Sequence, residues 1–195
     1  MLLQVVDQLI LVRHPSPGTL HRLAVKAKLL HDLGVMKCLA IIVASGLLAA
    51  PAIAQSLSGR ADVIDGDTIA IRGEPARLRL YGIDAPEGKQ TCSDPGGRPY
   101  LCGSRSADAL ATIIGHNGRV TCRAEDRDRY GRIVATCEAN GREINAEMIR
   151  QGWAVEYEQY SDGRYSDEEE EARSAKRGLW AGTFVKPWEW RRGRR

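Results

Sequence analysis

The chain has 195 residues, with 28 Lys and Arg against 25 Asp and Glu, a formal charge of +3. Five of the basic residues but only two of the acidic ones precede Gln55, so residues 55–195 carry 23 of each and are formally neutral. Net charge is thereby excluded as an argument for a nucleic-acid partner, and any such argument must rest on where the charges sit.

Residues 36–54 read as a secretory signal peptide. Met36-Lys37 precedes an apolar run from Cys38 to Ala50, broken only by Ser45 and Gly46, and Ala52-Ile53-Ala54 supplies a small-x-small cleavage site before Gln55. The run is shorter than the roughly 20 apolar residues a membrane span needs. Export to the periplasm or the medium, cleavage after Ala54 and no stable membrane insertion are therefore expected. Residues 1–35 are then expected to be a mis-assigned extension upstream of a true start at Met36. What remains, 55–195, is long enough for one domain with a real core, expected to be a monomer.

From Gly59 to Ile83 the chain reads as strands. Val63-Ile64, Thr68 to Ile71 and Leu78-Arg79-Leu80 are separated by turn formers at Asp65-Gly66 and at Gly73-Glu74-Pro75. Glu87 to Gly103, rich in Gly, Pro and Cys, reads as a surface loop. Ser104 to Ile114 has helical spacing at Ala107, Leu110, Ala111 and Ile114. Val120 to Asp128 and Arg132 to Glu138 read as hairpin arms around Tyr130-Gly131. Asn145 to Arg150 is a short helix stopped by Gly152. A third helix opens at Ser166, with Glu169 as its capping-box partner and Gly178 as its stop. The acids from Asp167 to Glu171 suit the first turn of that helix and are read as structural. Trp180, Phe184, Trp188 and Trp190 are expected to fasten the C-terminal segment to the domain. Arg191 to Arg195 reads as a solvated tail or a phosphate contact. The expected fold is α+β and mainly β: a five-stranded, antiparallel OB-type barrel with three packed helices.

Cys92, Cys102, Cys122 and Cys137 lie after Gln55, an even count that suits two disulfides in an exported chain. Four cysteines allow three pairings. Cys122 and Cys137 are equidistant from the hairpin centre and can face each other, which leaves Cys92 with Cys102. A zinc site is the rival reading, but there is no Cys-x-x-Cys and His116 is the one histidine of 55–195.

Three polar signatures carry the chemistry: Asp65-Gly66-Asp67-Thr68, Arg79 leading into Asp84-Ala85-Pro86-Glu87, and Asp128-Arg129-Tyr130-Gly131-Arg132. Each alone reads first as a turn or a strand end. Together, carboxylates that can hold a hard cation and guanidiniums that can hold a phosphate suit cleavage of a phosphodiester.

With Asn145 to Gly152 and Arg177-Gly178-Leu179-Trp180, these motifs resemble the staphylococcal nuclease (thermonuclease) family, especially its exported bacterial members. They occur in family order over nearly all of residues 58–190. The resemblance implies a Ca²⁺-dependent nuclease that cuts DNA and RNA with little sequence preference, prefers single strands and leaves 3′-phosphate ends. It assigns Asp67, Asp84 and the backbone carbonyl of Ala85 to the metal, with Asp65 one step behind. It makes Glu87 the base for water and Arg79 and Arg132 the catalytic arginines, with Arg132 placed to help the departing 5′ oxygen. Arg129 and Tyr130 correspond to a pair beside the terminal phosphate. Tyr157 and Tyr160 lie near the base-stacking tyrosines. Counting from Gly152 aligns Tyr160, while Glu158 stands where a second tyrosine is expected. Loss of either catalytic arginine is expected to cost far more in turnover than in fold stability. The rival functions are a non-catalytic OB module for nucleic acid or another polyanion, and an accessory role in surface-polysaccharide production.

Overall fold

The computed structural model describes residues 56–195. The signal segment at 36–54 and the extension at 1–35 lie outside those residues. In chain order the elements are β1 (Ser56–Asp65), β2 (Thr68–Ile71), β3 (Leu78–Leu80), β4 (Ile83–Asp84), β5 (Thr91–Ser93), β6 (Pro99–Leu101) and α1 (Cys102–Ile114). There follow β7 (Arg119–Arg127), β8 (Ile133–Ala139), β9 (Arg142–Glu143), α2 (Ile144–Arg150), β10 (Val155–Glu156) and α3 (Glu158–Ser161). The C-terminal part holds α4 (Ser166–Ser174), a 3₁₀ turn (Gly178–Ala181) and α5 (Pro187–Arg191).

Alternation builds the barrel. Ile69 and Ile71 of β2, Leu78 and Leu80 of β3, and Ile133, Ala135, Cys137 and Ala139 of β8 are all buried on one face. The strands run β3-β2-β1-β7-β8, and a β3–β8 pairing closes them into five-stranded OB-type architecture. That closing pair is parallel, with Leu78 opposite Ile133 and Arg79 opposite Val134, so the barrel is mixed instead of antiparallel. A parallel pair requires a long crossover, here the segment from β4 through α1 to β7. Leu110, Ile113 and Ile114 of α1 and Ile144, Met148 and Ile149 of α2 join the same core at helical spacing.

Three further sequence expectations need correction. Among the described residues there are five α-helices, not three, because Glu158–Ser161 and Pro187–Arg191 also form short helices. Residues 87–103 are not simply loop, since β5 and β6 pair as a small hairpin with Cys92 opposite Tyr100. The capping box at Ser166 does not form. The Ser166 hydroxyl donates to Glu156 Oε2 at 2.8 Å, and Glu169 accepts from the Glu156 N–H at 3.1 Å. Glu156 has captured both, Ser166 through its buried carboxylate and Glu169 through its N–H, and Tyr165 precedes the helix in the capping place. Both disulfides pair as the hairpin reading expects, Cys92 with Cys102 and Cys122 with Cys137.

Asn145 rivets α2 to the barrel. Fully buried, it accepts from the Cys137 N–H at 3.1 Å and donates to the carbonyls of Tyr81 at 3.0 Å and Ala135 at 3.2 Å. Each buried group left unpaired costs about 1–3 kcal/mol. Asn145→Ala is therefore expected to lower the unfolding free energy by about 3 kcal/mol, read from urea titrations, and a loss below about 1 kcal/mol would refute the rivet.

Candidate active site

The β1–β2 hairpin delivers the first carboxylate. A bulge between Val63 and Asp65 leaves Ile64 unpaired and turns the strand end toward the barrel mouth. Asp65 then accepts from the Asp67 N–H at 3.0 Å, fixing the turn. Gly66 is required here, because a Cβ on it would lie 1.9 Å from Ser106 Oγ of α1 and 2.7 Å from Ala85 Cβ. The turn is thus pressed against the Asp84-Ala85 segment. There the Ala85 N–H donates to Asp67 Oδ2 at 2.8 Å. Asp84 itself is held in β4, paired opposite Val155 of β10.

Arg79 joins the two carboxylates. Its Nη1 donates to Asp67 Oδ1, and its Nη2 donates to Asp84 Oδ1 at 2.6 Å and to the Ile83 carbonyl at 3.2 Å. Asp67 and Asp84 are 2% and 0% exposed, so Arg79 bridges two buried anions. Burial raises the Asp67 carboxyl above the ordinary range; Arg79 and the Ala85 N–H pull it down, while nearby Asp65 pushes it up. Burial also disfavours the Arg79 charge, but Asp67 and Asp84 outweigh it and raise the Arg79 pKa.

Glu87 stands at the edge of this cluster. Its N–H donates to the side chain of the buried Gln90 at 3.2 Å, and Gln90 Nε2 donates onward to the Val185 carbonyl at 2.7 Å. The start of α1 packs against it: a Cβ on Gly103 would lie 1.8 Å from the Glu87 carbonyl oxygen. Gly103→Ala must therefore push the Glu87 main chain aside. A misplacement of about 1 Å can cost roughly 100-fold in rate. We expect a kcat loss of that order with the melting transition still cooperative; unchanged kcat would show that Glu87 tolerates the shift.

A residue that sequence reasoning missed completes the group. Arg191, the last residue of α5, donates from Nη1 to Asp84 Oδ1 at 3.0 Å and to Glu87 Oε1 at 2.8 Å, and from Nη2 to Asp84 Oδ2 at 2.8 Å. Burial disfavours its charge, yet the bonds from Asp84 and Glu87 prevail and raise its pKa. The expectation of a solvated tail is thus overturned at Arg191. Pro187, at the first helical position, was the available sequence signal that a short helix begins there.

The other sequence-nominated residues lie in two further groups. Arg132, Arg129 and Tyr130 sit at the β7–β8 tip. Asp128 accepts from Arg132 Nε at 2.7 Å; burial pushes its carboxyl up, but this bond, the Arg132 charge and the N–H groups of Arg132 and Tyr130 together hold it below its ordinary range. Arg129 Nη2 donates to the hydroxyl of the exposed Tyr130 at 2.9 Å. Arg132 precedes Val134, the register partner of Arg79, by two positions. In the third group Tyr157 stacks on Trp188, with ring centroids 5.1 Å apart and planes 5° apart, while Tyr160 meets Tyr157 edge-on at 4.8 Å. Trp188 thus covers a face of Tyr157 that the sequence reading left open for a base. Tyr160 remains exposed. Trp180, Phe184 and Trp188 pack around Cys92, Cys102, Val155 and Leu179, fastening the C-terminal segment as expected.

The fold class is that of an OB-type barrel, and Asp67, Arg79, Asp84, Glu87 and Arg191 form one charged cluster on it. The family is then specific: residues 77–182 match the family model described as staphylococcal nuclease homologue, and the chain belongs to that family. It is 41% identical over 128 residues to the succinoglycan biosynthesis protein ExoI of Rhizobium meliloti (strain 1021), covering 65% of this chain and 66% of that one. It is 36% identical over 163 residues to protein ParB of Escherichia coli, covering 75% and 85%. An uncharacterized endonuclease of Escherichia coli is 38% identical over 147 residues, covering 72% and 89%.

Proposed function

We propose that the protein is an exported, Ca²⁺-dependent nuclease that hydrolyses DNA and RNA with little sequence preference and leaves 3′-phosphate ends. The observation that carries this reading is the Arg79 guanidinium bridging the buried Asp67 and Asp84, with Glu87 tied to the same cluster through Arg191. A buried cluster of carboxylates and guanidiniums is weak evidence of a stabilising role and marks a candidate site for metal and phosphate.

The donors fit a hard cation. Asp67 Oδ2 and Asp84 Oδ2 each have one hydrogen-bond partner, from the Ala85 N–H and Arg191 respectively, which leaves acceptor capacity on both. With the Ala85 carbonyl, they would hold Ca²⁺ through oxygen while water and phosphate supply the rest. When bound, the ion neutralises a phosphate oxygen and helps orient water. Asp65 holds the turn behind Asp67.

Glu87 takes a proton from the water whose oxygen attacks phosphorus. Arg79 and Arg132 hold the phosphoryl oxygens as charge builds, and their planar forks suit that task. The bond from phosphorus to the 5′ oxygen breaks, with Arg132 beside the departing oxygen, so the phosphate stays on the 3′ side. Arg129 and Tyr130 take a terminal phosphate. The exposed Tyr160, with Tyr157 behind it, offers a base a ring to stack on, which favours single strands.

Two disulfides suit an exported monomer. Among the described residues no helix is long and apolar enough to cross a membrane. The name of the Rhizobium relative favours a second reading, an accessory role in making a surface polysaccharide. A sugar-cleaving carboxylate pair would not require the two arginines. Digestion of single-stranded DNA with Ca²⁺ or with chelator, and phosphatase release from the products, decides between them. Ca²⁺-dependent cleavage leaving 3′-phosphates is expected. Binding without cleavage would instead establish a non-catalytic module.

A further inference from the structure

The strap from Thr183 to Arg191 is built to carry a guanidinium into the site. Thr183 and Ser93 exchange backbone hydrogen bonds of 2.9 and 3.0 Å, tying the strap to the disulfide hairpin. Gln90 then grips the Val185 carbonyl at 2.7 Å from the turn that holds Glu87. Lys186 lies over the Trp188 ring at 4.9 Å, and Tyr157 stacks on the same ring. These attachments bring α5 to the edge of the site, where Arg191 at its end meets Asp84 and Glu87.

Acceptor accounting shows what this contact does to Asp84. A carboxylate oxygen offers about two acceptor positions. Asp84 Oδ1 spends both, one on Arg79 Nη2 and one on Arg191 Nη1, and Oδ2 spends one of its two on Arg191 Nη2. A Ca²⁺ bound to Asp84 at roughly 2.3–2.6 Å would share that carboxylate with a guanidinium already gripping both its oxygens. Two cations cannot both be drawn that close at low cost. Arg191 is 36% exposed on its side chain and sits at the end of a five-residue helix, whereas Arg79 is 16% exposed and fixed in the barrel wall. Of the two guanidiniums, Arg191 is the one free to leave.

We propose that Arg191 competes with the divalent cation for the Asp84 carboxylate, so that metal binding and the docking of α5 oppose each other. This rests on the reading of Asp67 and Asp84 as Ca²⁺ ligands and adds to it a residue that sets the metal affinity. Because the coupling is reciprocal, Ca²⁺ must loosen α5 as much as docked α5 weakens Ca²⁺.

Calorimetric titration of Ca²⁺ into the wild-type protein, Arg191→Ala and Arg191→Lys tests the competition without reference to activity. Arg191→Ala is expected to bind Ca²⁺ about tenfold more tightly, the scale on which neighbours of a ligand move metal affinity. Arg191→Lys keeps a charge but not the two-nitrogen grip, and should fall between the two. In the wild-type protein, amide exchange over residues 187–192 should accelerate when Ca²⁺ is added. Equal affinities in wild type and Arg191→Ala, or weaker binding in the variant, would overturn the competition, as would slower exchange at α5. Absence of Ca²⁺ binding in all three proteins would instead overturn the calcium reading itself.

Discussion

Arg79→Ala is expected to lose at least 100-fold in kcat and about 3 kcal/mol in stability, the two losses separable by Ca²⁺. The turnover loss follows from removing a fixed positive donor from the charge that builds on phosphorus. Removal of one such donor costs roughly 10²–10³ in rate. The stability loss is a consequence of burial that the motif alone did not suggest. Asp67 and Asp84 are 2% and 0% exposed, and Arg79 bonds both. Deleting one member of a buried ion cluster strands the others, typically at about 3–5 kcal/mol. Arg191 stays on Asp84 in the variant, which places the expectation at the lower end. A cation that binds only the folded state restores stability by mass action. Saturating Ca²⁺ should therefore recover much of the urea midpoint of Arg79→Ala and none of its turnover. Arg79→Lys should be intermediate in both, since one ammonium cannot span two carboxylates and still fork a phosphate. Turnover within tenfold of wild type in Arg79→Ala would remove Arg79 from the catalytic group.

The barrel was legible because alternation survives in the strands that line the core: Ile69 and Ile71, Leu78 and Leu80 mark their faces without help from partners. The parallel closure was not, since the pairing of Leu78 with Ile133 is made by segments 55 positions apart and leaves no local trace. The second disulfide was legible only because a bulge is present. At the tip Arg127 faces Ile133, a register that would set Cys122 against Glu138. The shift between Ala124 and Asp126 moves Cys122 onto Cys137. Symmetry about the hairpin centre found the pair, while the bulge that produces it is invisible in sequence. At the site, Asp67, Arg79, Asp84 and Glu87 announced themselves through short motifs. Arg191 did not, because a basic C-terminus reads as solvated charge until a strap of known direction carries it inward. The same strap put Trp188 on Tyr157, which a count of aromatics could not distinguish from a platform awaiting a base.

Glu87→Gln carries the other large expected effect, and it isolates the proton-transfer step. The amide matches the carboxylate in shape and keeps an oxygen for Arg191, and the Glu87 N–H still donates to Gln90. The side chain is 37% exposed, so no buried charge is stranded, and the stability change should stay within about 0.5 kcal/mol. The proposed metal donors are Asp67, Asp84 and the Ala85 carbonyl, so Ca²⁺ affinity should fall little. It should rise slightly if weakening the Glu87 bond also loosens Arg191. What the amide cannot do is accept the water proton. A positioned general base contributes about 10²–10⁴-fold, and kcat should fall by that factor with KM nearly unchanged. A loss below tenfold would mean that Glu87 orients the water while another group takes the proton. A large loss accompanied by an equal loss of Ca²⁺ affinity would move Glu87 from the base to the metal.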